Sequence, residues 1–361
     1  MHLCFSITAH GFGHGAISTA VIQQVMDDFP SIKITILTLL PKSYLDSRLS
    51  GSYTHIQVGH DFGMLMHSPI EVDVDSSREK YAELDKNWQR VVQQEVDILK
   101  QIQPNCVISN VSPITLEAAM KLGIPTATVA PFNWAQIYQR YCLNKQDKQT
   151  VAVYKRMQRI YKSVDYIYKP LPSVPNSDLN EINIASINSQ PYSQRQRLLE
   201  QLPKGTTSIA LVALGGLPIT LNFQEWPIIS GLHWLVDQPS QHLRNDMTQV
   251  EELDLSFLAL LGSCDVILTK PGYGTYCEIA AVAAKKSIRV ISLARPDWPE
   301  TPFLNQFLME RVPFSEININ QLQGESLKAV IEKVNKLEYP RAQACEDGAK
   351  QMVEHLLAQL G

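Results

Sequence analysis

Cys4-Phe5-Ser6-Ile7-Thr8-Ala9-His10-Gly11-Phe12-Gly13-His14-Gly15-Ala16-Ile17 carries a strand-like run through three glycines into a helical pattern. Beyond it Ile17, Ala20, Val21 and Val25 recur at helical spacing, the mark of an amphipathic helix lying on a sheet. A second stretch of the same grammar, Val266-Ile267-Leu268-Thr269-Lys270-Pro271-Gly272-Tyr273-Gly274-Thr275, lies in the other half. A strand turning through glycines into a helix points free backbone N–H groups and the positive end of the helix dipole at one place, which suits a phosphate. One such turn in each half predicts a ligand held between two domains.

Working outward, strand-like runs fall at His2–Thr8, Ile32–Leu39, Thr54–Val58, Cys106–Ser109 and Thr126–Ala130, with helical patterns between most of them and a long one over Ser77–Ile102. Lys169–Gln194 is rich in Pro, Ser and Asn, has one short apolar run near Ile182–Ile187, and reads as a domain junction. A second alternation follows. It runs through helix Gln194–Leu202, strand Ser208–Leu214, the turn Gly215-Gly216-Leu217-Pro218, strand Ile228–Val236, helix Asp254–Leu261, strand Asp265–Thr269, helix Thr275–Ala284 and strand Ser287–Leu293. Short connections of this kind favour parallel, doubly wound sheets. The expected domains are therefore 1–190 and 191–340, with the last helical pattern, Arg341–Leu360, closing the second domain or returning to the first.

The chain's 361 residues suffice for two such domains. With 45% hydrophobic and 19% charged residues and a net charge of −4, it reads as globular and not as a polyanion binder, so nucleic acid is not an expected partner. The first residues run straight into a strand without the basic and long apolar segments of a secretory signal, and no apolar run approaches the roughly 20 residues that span a bilayer. The six cysteines, Cys4, Cys106, Cys142, Cys264, Cys277 and Cys345, form no C-x-x-C pair, so reduced thiols in a cytoplasmic protein are expected.

The glycine turns are not those of a dinucleotide or P-loop site. Gly11, Gly13 and Gly15 miss the G-x-G-x-x-G spacing, and the next strand ends in Thr38-Leu39-Leu40 without an acid for a ribose; no G-x-x-x-x-G-K-[ST] occurs. The first turn instead contains His14 at the start of a helix, where the dipole disfavours imidazolium and leaves a neutral base for a hydroxyl proton. The competing reading has His14, and more readily His10, orienting the turn through a backbone carbonyl. In the second turn Glu278 follows Gly274 by one helical turn, placed to take a ribose diol while Lys270 offsets diphosphate charge; a first-turn Glu also stabilises the dipole with no ligand at all. Arg295-Pro296-Asp297-Trp298-Pro299-Glu300 follows a strand, at the edge of the sheet where ligands bind. Asp73 and Asp75 form a D-x-D before the long helix, where Asp75 reads as an N-cap, and no metal site is expected. Between Arg140 and Lys169 basic residues interleave with tyrosines, a solvated helix face or a membrane-surface patch.

Taken together, Gly11-Phe12-Gly13-His14-Gly15, Ser109-Asn110-Val111-Ser112-Pro113, Phe132-Asn133-Trp134 with Ile137-Tyr138, Gly272-Tyr273-Gly274-Thr275 with Glu278, and Glu300 with Pro302-Phe303-Leu304 resemble the GT-B glycosyltransferase superfamily. Within it the chain resembles the glycosyltransferase-like region preceding the kinase domain of plant-type L-arabinokinases, and that region's stand-alone bacterial relatives. No G-L-x-S-S phosphate loop of those sugar kinases is found, so kinase activity is not implied. A more distant similarity is to the N-acetylglucosaminyltransferase that completes the lipid-linked peptidoglycan precursor.

The resemblance implies a GT-B fold, two Rossmann-like doubly wound parallel-sheet domains facing across a cleft. It implies that Glu278 binds the nucleotide ribose, that Gly272, Gly274 and Thr275 hold diphosphate, and that Asp297 to Glu300 lie near the donor sugar. The donor side then comprises Gly13, Gly15, Gly215, Gly216, Lys270, Gly272, Tyr273, Gly274, Thr275, Glu278, Asp297 and Glu300; the acceptor side has candidates His10, Asp75, Asn133 and Trp134. The function so implied is metal-independent and cofactor-free: a sugar moves from a nucleotide-diphosphate sugar, with UDP expected, to a hydroxyl acceptor, and His14 is the base. A lipid-linked acceptor would bring the protein to the inner membrane face. Two alternatives share the architecture, a nucleotide-sugar epimerase and a non-catalytic nucleotide-sugar-binding module.

Overall fold

A computed structural model describes every residue except 69, 177, 216–220, 238–242 and 342–346. The chain divides into two compact units, one of Met1–His67, Glu71–Asn188 and Glu346–Gly361, the other built on Ser189–Cys345.

In chain order the first unit contains β1 (His2–Ile7), α1 (Phe12–Asp28), β2 (Lys33–Thr38), α2 (Lys42–Asp46), β3 (Thr54–Ile56), β4 (Met66–Ser68), β5 (Glu71–Val72), α3 (Val74–Ile102), β6 (Cys106–Asn110), α4 (Pro113–Lys121), β7 (Thr126–Val129), α5 (Trp134–Tyr141), α6 (Lys148–Lys162), β8 (Tyr166–Pro170) and β9 (Glu181–Ile184). Its main sheet runs β3-β2-β1-β6-β7-β8-β9, every pairing parallel, with β4 and β5 forming a separate ribbon. Central strands covered on both faces do not alternate, and β1 and β6 are buried at every position, with polar residues such as Ser6 hydrogen-bonded internally, to Thr115 at 2.8 Å.

The second unit contains α7 (Arg195–Glu200), β10 (Ser208–Ala213), β11 (Leu232–Val236), β12 (Met247–Gln249), α8 (Phe257–Ser263), β13 (Val266–Thr269), α9 (Tyr273–Ala283), β14 (Arg289–Leu293), α10 (Thr301–Met309), β15 (Phe314–Ile317) and α11 (Gly324–Lys336). Its sheet runs β12-β11-β10-β13-β14-β15, again all parallel. Trp234 packs edge-on against Trp226 at 4.9 Å in a core that includes Val212, Leu268, Ile291 and Leu327. The final helix, α12 (Gly348–Leu360), belongs to the first unit, where it packs on α1. His355 Nδ1 meets the Tyr168 hydroxyl at 2.8 Å, and a Cβ on Gly348 would stand 2.0 Å from the Ala185 carbonyl, so only glycine fits there.

Several local readings differ. The strand read over Ile228–Val236 begins only at Leu232, with Ile228 76% exposed, and β12 and β15 have no counterpart among the strand-like runs. Lys169–Gln194 is not linker throughout: it includes the end of β8 and all of β9, which adds the outermost strand to the first sheet and is pinned by a buried Lys169–Glu181 ion pair at 2.8 Å. An edge strand half in solvent carries polar residues such as Glu181 and Asn183, which hides it from a hydrophobicity pattern. The long helix starts at Val74 rather than Ser77, and its cap is Asp73, whose carboxylate accepts from the Ser76 N–H at 3.0 Å. Asp75 sits in the first turn, almost fully exposed, 3.5 Å from Arg78.

Each sheet reverses strand order once, between β1 and β6 in the first unit and between β10 and β13 in the second. The loops leaving two such strands part to opposite faces and leave a crevice at the carboxyl ends, where open α/β sheets bind ligands.

Candidate functional site

In the first unit, the crevice is flanked by the helix leaving β1 and the last residue of β6. There His14 Nδ1 lies 2.8 Å from Asn110 Oδ1. The orientation of the amide follows from its other end: Asn110 Nδ2 meets the His14 carbonyl, which can only accept, at 3.2 Å, and Ser18 Oγ at 3.2 Å. Oδ1 therefore accepts, Nδ1 carries the ring proton, and Nε2 keeps a bare lone pair. His14 is 7% exposed, and its burial pushes the imidazole pKa below the usual 6.5 against the opposing pull of the Asn110 bond. The ring is a neutral base of fixed tautomer.

Aromatic side chains enclose it. The Trp134 ring stands 5.4 Å from His14 and 5.2 Å from His10, and Phe132 stands 5.7 Å from His14. Asn133 places Trp134 by capping α5 reciprocally with Gln136, the two side chains each meeting the other's backbone N–H at 3.0 Å. The loop after β3 closes the group. Gly63 takes φ +67, and a Cβ there would stand 2.4 Å from Trp134 Cη2 and 3.0 Å from His10 Cγ, so both conformation and space require glycine. Two residues earlier Asp61 accepts from the Thr8 hydroxyl and, at 3.1 Å, from Trp134 Nε1. Burial raises its pKa to about 6; the Thr8 bond pulls it back, the negative charge of Glu95 adds to the rise, and the Trp134 bond opposes.

The glycines of the first turn have different duties. Gly11 caps α1, and both it and Gly13 have open space where a Cβ would stand. Gly15 instead lets the helix approach α2, since a Cβ would meet Tyr44 at 2.6 Å and Leu40 at 2.8 Å.

In the second unit, four strand ends gather charge. Gly215 follows β10 at φ +83, and Asp237, just beyond β11, accepts from the Leu214 and Gly215 N–H groups at 2.8 and 3.2 Å. Lys270, after β13, reaches past Gly215, its Nζ 4.0 Å from where a Cβ on that residue would stand. Its surface is only partly exposed; desolvation and then the positive charge of Arg295 lower its pKa to about 8, against the pull of Glu300 and Asp237. Beyond β14 the Arg295 guanidinium lies over the Trp298 ring at 4.0 Å, and Trp298 Nε1 donates to Glu300 Oε2 at 3.3 Å. Gly272 caps α9, with Tyr273 and Gly274 buried and Thr275 partly exposed in its first turn; Glu278 is buried one turn further on. Asp297 is exposed, and Gly216 lies outside the described residues.

The structure thus groups His10, His14, Asn133 and Trp134 within the first unit and leaves Asp75 in solvent on α3. Lys270 and Glu300 interact electrostatically within the second. Asp61 and Gly63 had no signal beyond a lone acid and a lone glycine in an irregular stretch. Asn110 lay in a quoted motif but had no assigned role, because its meaning depends on meeting a residue 96 positions away.

No protein-family model matches the chain. In sequence it is similar to L-arabinokinase of Arabidopsis thaliana, 24% identical over 326 residues, covering 85% of this chain and 30% of that protein's length. In structure it is similar to the glycosyltransferase of kitacinnamycin, with TM-score 0.65, 14% identity and coverage of 100% of this chain and 99% of that one. The calicheamicin glycosyltransferase gives TM-score 0.61 and 12% identity, over 100% and 95%. An Arabidopsis thaliana glycosyltransferase solved with UDP gives TM-score 0.57 and 12% identity, over 99% of each chain. The fold is that of the GT-B glycosyltransferases.

Proposed function

We propose that this GT-B chain transfers a sugar from a nucleotide-diphosphate sugar to a hydroxyl acceptor without a metal ion. The observation that carries the reading is the His14–Asn110 hydrogen bond, which holds a neutral imidazole with Nε2 bare at the switch point of the first sheet. The acceptor hydroxyl gives its proton to Nε2 as its oxygen bonds to the anomeric carbon. The bond from that carbon to the diphosphate oxygen breaks, and the nucleoside diphosphate leaves with the electron pair. This direct displacement inverts the anomeric centre.

The second unit supplies what a leaving diphosphate needs. Lys270, Arg295 and the N–H groups opening α9 are fixed positive charge and dipole, stabilising the developing negative charge where other enzymes use a cation. Glu278 takes the ribose hydroxyls, while Glu300 and Asp297 meet the donor sugar. UDP, bound to the Arabidopsis thaliana glycosyltransferase of this fold, is the nucleotide to test first. His14→Ala should keep UDP affinity within a factor of about two while lowering transfer by the 10²–10⁴-fold that a general base contributes. Undiminished turnover in that variant ends the reading.

A further inference from the structure

Within the first unit, α5, α6 and the segment after β8 line an open cavity of about 180 Å³, which meets the aromatic group around His14 only through Asn133, the cap of α5. It falls below the roughly 300–1,000 Å³ of pockets for drug-sized ligands and has room for one small ring. Its wall is built from neutral hydrogen-bonding groups: Asn133, Gln136, Gln139, Tyr154 and Gln158, with the Tyr161 ring behind them.

Part of this wall is a rigid frame. Gln136 is fixed at both ends, its Oε1 by the Asn133 N–H at 3.0 Å and its Nε2 by the Pro175 carbonyl at 3.3 Å. Tyr161 donates to the Val111 carbonyl at 2.6 Å and accepts from the Trp134 N–H at 3.4 Å. The remainder presents donors and acceptors in alternation. Asn133 Oδ1 is engaged by the Gln136 N–H, which leaves its Nδ2 as a donor. Gln158 Nε2 donates to the Tyr154 hydroxyl at 2.9 Å, which leaves Gln158 Oε1 to accept and the Tyr154 O–H to donate.

Such a wall matches a ligand whose every polar group both gives and takes a hydrogen bond, as a sugar hydroxyl does. Charge points the same way: the two charged lining residues, Lys162 and Asp178, are both exposed and of opposite sign, so no net charge selects an anion. Tyr154, partly exposed in the same wall, adds apolar ring surface for the C–H side of a pyranose or furanose.

We infer that this cavity binds one neutral monosaccharide ring of the acceptor, making the acceptor a saccharide or glycoside. The inference rests on the transferase reading and specifies its acceptor class. The frame supports it, since Asn133 both lines the cavity and caps the helix that sets Trp134 against His14.

The test uses the full chain, with methyl glycosides of common pentoses and hexoses as probes, saturation-transfer NMR to detect contact and calorimetry to measure it. Gln158→Leu and Tyr154→Phe are the variants, with unfolding midpoints as the folding control and a separate UDP titration of each protein. We expect at least one glycoside to saturate the wild-type protein, with affinity falling tenfold or more in either variant and UDP affinity unchanged. Binding of no glycoside, equal binding in both variants, or preferential binding of inorganic phosphate or glycine overturns the inference. UDP binding that persists beside any of these failures leaves the transferase reading standing, whereas a wild-type protein that binds none of UDP, GDP and dTDP refutes that reading itself.

Discussion

Diphosphate binding should draw a proton from solvent, and Lys270 sets the amount. Burial and Arg295 hold its pKa at about 8 in the free protein. A diphosphate placed between the two cations reverses that balance and returns Lys270 to its ordinary range near 10.4, charged at every working pH. The proton taken up per UDP is then the neutral fraction in the free state: about 0.1 at pH 7, about 0.5 at pH 8 and about 0.9 at pH 9. The nucleotide's own last ionisation, near pH 6 by analogy with phosphate esters, is complete by pH 8, whereas at pH 7 its release of about 0.1 proton offsets the Lys270 uptake, so pH 8 and above carry the test. Calorimetry at pH 8 in HEPES and in Tris reads the number directly, since the observed enthalpy changes by the uptake times the difference in buffer ionisation enthalpy. Affinity should weaken by up to about tenfold per pH unit above 8. Lys270→Met should abolish the buffer dependence and, by removing a charge-assisted contact on the order of 1.5–3 kcal/mol, weaken UDP binding at pH 7 by tenfold or more. Buffer-independent enthalpies in the wild-type protein, or uptake persisting in Lys270→Met, would refute the assignment of Lys270 to the phosphate.

Three further outcomes follow from the same geometry. Asn110→Asp replaces a neutral acceptor beside His14 with a carboxylate, so the imidazole pKa should rise, visible in a ring ¹H–¹⁵N titration; an unmoved midpoint would separate the two side chains. Asp61 carries a folded pKa of about 6 against 3.8 for the free side chain, so its favourable contribution is complete below about pH 4 and is lost as pH rises through 6. Asp61→Asn should therefore gain stability over wild type by on the order of 2–3 kcal/mol between pH 4 and pH 7 in urea titrations, with a constant difference ruling out the buried charge. Glu278→Ala should cost UDP binding on the order of 2–4 kcal/mol by calorimetry, and unchanged affinity would remove Glu278 from the ribose site.

The local grammar of the chain was sufficient for the architecture. Strand-turn-helix units with buried strands and glycines at the turns leave little choice but parallel sheets, because hydrophobic periodicity and turn chemistry act over a few residues and are written in order. The same locality singled out His14, Lys270 and Glu278 as candidates, each tied to a glycine turn by a few positions in the chain. It failed where an element is defined by its partners. Strand β9 carries polar residues because one edge meets solvent, and it is recognised only through its register with β8 and the Lys169–Glu181 pair.

Tertiary structure decided the protonation of His14. Which nitrogen of His14 holds the proton depends on Asn110, 96 residues away, and the ring's surroundings depend on Trp134, Gly63 and Asp61, drawn from two other loops. The Lys270 pKa is set in the same way, by burial first and then by Arg295, Glu300 and Asp237, from strand ends that the chain reaches separately. Sequence fixes where a backbone turns, because steric and hydrogen-bond preferences are local. It does not fix a tautomer or a pKa, because desolvation and charge act through space and take their values only once distant segments have met.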